Sequence, residues 1–201
     1  MTNRSANKQQ FYEYDPDANS YAGIGFTVGA VDDDNDDSAK VTNLHTDDTP
    51  MAFTWKPLTC HGFEDNPSEV GDFPSVSNWR IVPMMSERAW TALKPIIRNV
   101  CEALPVSHPF TGAYFLIHVL RTIEALDEDA SEVERRSADD PRIRQVFRYA
   151  FRNDKIEGIH IFKLPNKQGG GLIVDDLFRK TVEDNNLRGL RFRKLPLTQE
   201  S

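Results

Sequence analysis

The sequence predicts an α+β protein, with a mixed, mostly antiparallel sheet and two main helices near residues 86–100 and 175–185. Three observations carry this. Ser86-Glu87 opens a window in which Trp90, Leu93, Ile97 and Val100 recur on one helical face. Asp175-Asp176 opens another, in which Val174, Leu177, Phe178, Thr181 and Val182 follow the i, i+3, i+4, i+7, i+8 template. Elsewhere short β-branched and aromatic runs stand between glycines and prolines, as strands do.

In chain order, Phe11-Tyr-Glu-Tyr14 reads as a first strand stopped by Asp15-Pro16, and Tyr21–Val31 as a glycine-punctuated strand with a bulge. Residues 32–50 read as an acidic loop. Met51–Trp55 and Leu58–Phe63 are strand candidates parted by Pro57, and 64–79 is loop. Arg80–Met84 is a short strand before the first helix, which Pro95 should kink or restart. Glu102–Val106 and Ala113–Ile117 read as strands. His118–Leu126 has helical spacing, and Asp127–Ala138 is a charged connection. Residues 142–152 fit both periods. Ile143, Phe147 and Tyr149–Phe151 alternate with arginines, yet Asp140-Pro141 is a good helix start. Periodicity does not settle between the two. Ile159, Ile161 and Phe162, bounded by Gly158 and Pro165, make a mostly buried strand. Gly169-Gly-Gly171 permits a sharp turn into Leu172-Ile-Val174. Asn185 or Asn186 ends the second helix, and Gly189 turns the chain into a closing strand, Leu190–Leu195. Trp90, Leu93, Phe162, Leu177, Phe178 and Phe192 are the expected core.

With 201 residues and 39% hydrophobic content, the chain suits one domain over 1–201, with room for two lobes at about 11–100 and 101–198. No apolar run approaches the length of a membrane span. Met1–Gln10 is polar and lacks a signal-peptide core, so a cytoplasmic protein is expected. Cys60 and Cys101 have no pair spacing and are expected to be reduced, packed thiols.

The formal charge of −7 is unevenly spread. Residues 1–50 hold ten acids and three bases, and the remainder balances to zero. The densest stretch, Asp32, Asp33, Asp34, Asp36 and Asp37, has three readings. It is a solvated loop, a calcium loop, or an electrostatic lure for a basic partner. The calcium reading is the weakest, because the glycine and terminal glutamate of an EF-hand are missing. As a surface for a basic partner, these five aspartates are the candidate binding residues.

No catalytic, cofactor or metal constellation stands out. None of His45, His61, His108, His118 and His160 makes an i, i+4 pair with another, and neither His-Glu-x-x-His nor Cys-x-x-Cys occurs. Cys60 and His61 are adjacent, and adjacent strand residues point apart, so they make no nucleophile–base pair. His160 reads as a packed, hydrogen-bonded histidine. The glycine run before the second helix lacks Gly-Lys-Ser/Thr, and two aspartates at the helix start would repel phosphate. Arg188, Arg191, Arg193 and Lys194 make a basic strip, but on an acidic chain it is expected to be solvated or salt-bridged rather than to bind nucleic acid.

Several short motifs occur in a recognisable order: Phe11–Tyr14, Asp72-Phe-Pro74, Ile81-Val-Pro-Met-Met-Ser-Glu-Arg88, Glu102–Val106, Tyr114–Asp127, Ile161-Phe-Lys163, and Leu190-Arg-Phe192 after Gly189. Together they resemble the immunity proteins of bacterial polymorphic toxin systems, in particular the myxobacterial-type immunity domain, formerly a domain of unknown function. The family usually shows Ile-Phe-Arg where this chain has Ile161-Phe-Lys163, and the resemblance favours a strand over 142–152. The acidic run is not part of the pattern. The resemblance implies a non-enzymatic cytoplasmic protein without cofactor or metal. It would bind and neutralise a cognate toxin domain, often a nuclease delivered by contact-dependent machinery such as type VI secretion. Two other functions stand beside it: a hydrolase or toxin-modifying enzyme around Cys60 and His61, and a scaffold module of a secretion system.

Overall fold

The computed structural model describes residues 9–26, 37–63, 65, 67–76, 82–137, 139–140, 142–167 and 171–198. Among them run β1 (Phe11–Pro16), β2 (Gly23–Phe26), α1 (Asp37–Thr46), β3 (Leu58–Gly62), β4 (Ser75–Val76), β5 (Met84–Ser86), α2 (Glu87–Ile97), β6 (Cys101–Ser107), β7 (Tyr114–Val119), β8 (Glu132–Arg135), β9 (Ile143–Arg148), α3 (Asn153–Ile156), β10 (Ile161–Lys163), β11 (Leu172–Asp175), α4 (Asp176–Asp184) and β12 (Leu190–Lys194). The α+β expectation holds, and α2 and α4 are the two expected helices.

The strands form a four-stranded sheet in the order β10-β11-β1-β12, a six-stranded sheet in the order β4-β2-β3-β6-β7-β5, and the β8-β9 hairpin. The four-stranded sheet is antiparallel. The six-stranded sheet is mixed, because β2 pairs β4 and β3 pairs β6 in parallel.

Both larger sheets are covered on two faces along β5, β7, β10 and β11, which explains the continuous apolar runs there. Side chains alternate across a strand, so a strand buried on both sides reads as unbroken hydrophobic sequence. In the six-stranded sheet Met84, Leu104 and Leu116 join a core with Val41 and Leu44 of α1. Their neighbours Met85 and Ile117 face a second core with Leu93 and Ile97 of α2 and Phe178 and Val182 of α4. In the four-stranded sheet Ile161, Leu172 and Val174 face that second core, while Phe162 and Ile173 face a third with Ile143 and Val146 of β9.

Local chemistry sets the helix ends. The Ser86 hydroxyl accepts from Ala89 N–H at 3.1 Å, and Asp175 accepts from Phe178 N–H at 3.0 Å. Each satisfies one of the N–H groups that a helix start leaves unpaired. Asn185 caps α4, Asn186 takes φ 51° and Gly189 φ 97°, so the chain reverses into β12.

Several expectations need correction. Residues 37–46 are not loop but α1, where Asp37 favours the helix start and Val41 and Leu44 are buried one turn apart. The rest of the acidic run, 32–36, lies outside the described residues, as do Gly169, Gly170, Arg80 and Ile81. Met51–Trp55 is a turn rather than a strand, with Thr54 N–H donating to Met51 O at 3.0 Å. His118–Leu126 is not a helix. His118 and Val119 extend β7 opposite Glu102 and Cys101, and the chain beyond follows neighbouring strands through isolated bridges at Thr122 and Leu126. Tertiary pairing overrides the helical spacing there. Residues 142–152 contain strand β9, and the charged connection 127–138 contains its partner β8. The helix α2 runs through Pro95 to Ile97. Leu177 is 43% exposed, so it leaves the expected core, while Trp90 and Phe192 pack at its margin.

Candidate functional site

Of the five aspartates named as candidate binding residues, Asp32, Asp33, Asp34 and Asp36 lie outside the described residues. Asp37 opens α1 and pairs with Lys40 at 3.1 Å. The other acids of the first fifty residues are largely answered in space. Glu13 pairs with Arg193 at 2.5 Å, Asp15 and Asp17 with Arg191 at 2.9 and 3.6 Å, and Asp48 with Lys163 at 2.7 Å. Arg188, Arg191 and Arg193 of the basic strip are therefore salt-bridged, Arg188 to Glu69. Part of the acidic excess is answered once strands from the two ends of the chain lie side by side.

Cys60 and His61 point apart on β3. Cys60 is buried and its thiol donates to Ser107 O at 3.3 Å, whereas His61 is exposed and meets Phe63 edge-on. Burial pushes the Cys60 thiol up to about 11 and raises Cys101 further, so both stay protonated near neutral pH. Both are free. His160, directly before β10, holds Asp175 through Nδ1 at 2.8 Å. That carboxylate also caps α4 through Phe178 N–H, so the pair braces a helix start.

Two carboxylate hubs were not visible in the sequence as sites. In the first, Asp72 accepts from Ser86 Oγ at 2.7 Å, from Arg88 Nε and Nη2 at 3.1 and 2.5 Å, and from Arg188 N–H at 2.8 Å. Burial alone would raise the pKa of Asp72. The hydrogen bonds from Arg88, Ser86 and the Arg188 N–H together outweigh burial and hold it below the usual carboxylate range. The backbones join too, with Asp72 N–H donating to Arg188 O at 2.7 Å. Gly71 makes this approach possible, since a Cβ there would stand 2.9 Å from Arg188 O.

The second hub lies where the chain leaving α1 crosses β6 and β7. His118 is fully buried. Its Nε2 meets Asp47 O at 2.6 Å, and its Nδ1 meets Glu102 Oε1 at 2.9 Å. A carbonyl can only accept, so Nε2 carries its hydrogen. Glu102 also accepts Met51 N–H at 2.7 Å and Ala52 N–H at 3.1 Å. Beside it Lys163, 2% exposed, donates to His45 O at 2.9 Å and pairs with Asp48. Asp48 in turn accepts Thr122 N–H at 2.9 Å and its hydroxyl at 3.1 Å. Burial, with the Lys163 ammonium near by, pushes His45 down to about 4, so its ring is neutral at physiological pH.

This collection of His, Lys, Asp and Glu has the residue types of an active site but the geometry of a clamp. Its charged groups are engaged with one another and with backbone groups. What it holds is the segment 45–52 and the turn that follows. Met51 and Trp55 pack inward, Trp55 Nε1–H donates to Pro105 O at 2.9 Å, and between them the Phe53 side chain is completely exposed.

Among the described residues, no three or more His, Cys, Asp or Glu side chains are grouped to hold a metal ion, and no helix is long and apolar enough to cross a membrane. Residues 101–196 match the family model of the Immunity protein family (Imm11). The match bears out the expected immunity-protein family and supports an immunity-protein role. It covers β6 to β12, a little under half the chain. Phe11–Tyr14, Asp72–Pro74 and Ile81–Arg88, which also carried the resemblance, stand outside it. No curated protein matches the chain.

Proposed function

We propose that this chain is a cytoplasmic immunity protein that binds a cognate toxin domain stoichiometrically and neutralises it by occupancy. The match of residues 101–196 to an immunity-protein family carries the reading. The chemistry of the hubs supports it: their polar groups are spent on holding backbone in place, which suits a rigid binder. The toxin class we favour is a nuclease of a polymorphic system delivered by contact, type VI secretion included. The partner is then a basic protein, met without direct contact to nucleic acid or membrane. Co-expression with the toxin encoded next to this chain tests the reading. Survival together with a co-purifying complex is expected, and failure to form any complex defeats it.

Asp32, Asp33, Asp34, Asp36 and Asp37 are proposed to steer the encounter. Changing all five to Asn should slow association and flatten its salt dependence while leaving dissociation unchanged. Unchanged association rates at two salt concentrations would reduce the run to a solvated loop. An enzyme would instead lose protection on losing a reacting group. Cys60→Ala and His61→Ala are therefore expected to protect fully.

A further inference from the structure

We infer that Phe53 is a preorganised anchor that enters an apolar pocket of the toxin domain, with Asp47 facing a basic group on the pocket rim. The inference rests on the toxin-binding reading above and names the contact that carries it.

Phe53 is exceptional among the described residues. The other large exposed hydrophobics, Phe63, Phe147 and Leu177, keep more than half of their surface covered, whereas Phe53 is covered by nothing. Scattered exposed hydrophobics are ordinary, so exposure alone decides little. The mounting is what singles out Phe53. In Met51-Ala-Phe-Thr-Trp55 the two end residues pack against the core under α1, and the middle one points away. Three constraints fix the turn. Glu102 holds the N–H groups of Met51 and Ala52, Trp55 is tied to Pro105 O, and Thr54 donates to Met51 O through both N–H and hydroxyl. A protein that only needed to connect α1 to β3 gains nothing from an aromatic ring in water at this point. A binder does gain. A ring held in one place loses little conformational freedom on docking, and buried aromatic anchors dominate interface energetics.

A charge held on the same piece indicates the partner. Asp47 is exposed, its carboxylate accepts Thr49 N–H at 2.8 Å, and it forms no ion pair among the described residues. Its backbone carbonyl is held by His118, the same imidazole that braces Glu102, so Asp47 and the Phe53 turn are parts of one rigid piece. A carboxylate without a cationic partner, on the same rigid piece as an apolar anchor, suits a pocket rimmed by Lys or Arg. A second copy of this chain would have to supply such a pocket itself.

The test uses the full chain and the purified, catalytically inactivated toxin domain encoded beside it. Binding kinetics are compared for the unchanged protein, Phe53→Ala, Phe53→Leu and Leu177→Ala, with thermal melting and sedimentation alongside. Phe53→Ala is expected to weaken binding about 30-fold or more, mostly through faster dissociation, as loss of a hot spot does. Phe53→Leu should lose less, Leu177→Ala nothing, and all four proteins should melt together. Four results overturn the inference: toxin binding unchanged in Phe53→Ala; earlier melting of that variant, which would make Phe53 a folding residue; self-association of the unchanged protein that Phe53→Ala abolishes; or no toxin binding by the unchanged protein. The last also removes the proposed function, whereas the first leaves it standing.

Discussion

Asp72 and Glu102 are both carboxylates set among backbone N–H groups, yet they hold different parts of the molecule. Asp72 joins the β5–α2 corner to the Arg188–Gly189 loop, tying the middle of the chain to its last strand. Its ties are deep, and Phe73 next to it is buried in the core shared by both larger sheets. Glu102 joins β6 to a turn that faces water. The first hub fixes the fold, and the second fixes what the fold presents. The same interaction, a carboxylate accepting from several donors, serves stability in one place and preorganisation in the other. The difference lies in what the donors belong to.

The largest expected effect breaks the first hub. Asp72→Ala leaves Ser86 Oγ and the Arg188 N–H without their acceptor, and should cost about 3 kcal/mol of unfolding free energy in denaturant titration. Arg88 can turn to water, which keeps the loss below that of a fully buried pair. The pH dependence follows from the lowered pKa of Asp72. A carboxyl whose folded value lies below its unfolded one stabilises above the unfolded value, near 3.9 on average, and loses that contribution as pH falls through the folded value. The stability gap between the natural protein and Asp72→Asn should therefore be full near neutral pH and close below about pH 4. A gap that stays constant down to pH 2 would show that the charge on Asp72 is not what matters.

A smaller effect is expected at the second hub. Glu102→Gln keeps one acceptor oxygen but cannot serve both Met51 and Ala52 as well as His118. Global stability should fall by only about 1 kcal/mol, because the segment released is at the surface. Amide exchange at Met51 and Ala52 should nevertheless accelerate clearly, and toxin binding should weaken along with it if the turn presents the anchor. Equal loss of global stability in Asp72→Ala and Glu102→Gln would erase the distinction between the hubs.

The first hub was half legible in the sequence, and the second was not. Ser86-Glu87-Arg88 reads as a helix start, and it is one, but the acceptor that completes it lies fourteen residues upstream and further donors come from Arg188. A local signal survives because capping is local, while the Asp72 contact depends on which loops meet. At the second hub the strand reading of Glu102–Val106 held, but two other local signals misled. Met51–Trp55 has the composition of a strand, and His118–Leu126 the spacing of a helix. Their true conformations are set by Glu102 and by the β6–β7 register, which pairs Glu102 with His118. The run of aspartates drew attention to charge and hid the amphipathic pair Val41 and Leu44 within the same stretch. Leu172–Val174 and α4 were legible because the Asp175 cap and the helix period are local signals, even though β11 pairs with the distant β1 and α4 packs against α2. The candidate Phe53 contact carries no motif at all. Only the exposure of the ring and the fixing of its turn distinguish it.

Leu177 supplies the smallest effect and the sharpest control. It sits on α4 immediately before Phe178, which is fully buried, and is itself 43% exposed. Helical spacing placed both on the apolar face, but α4 turns Phe178 and Val182 to the core and leaves Leu177 at the edge. Leu177→Ala should shift unfolding free energy by no more than about 0.5 kcal/mol, as surface changes do. It should also leave toxin protection intact, because nothing fixes Leu177 outside its own helix. A loss of protection without a loss of stability would move the binding surface from the Phe53 turn to α4. The second hub would then be a structural brace like the first, and the contrast between them would fall.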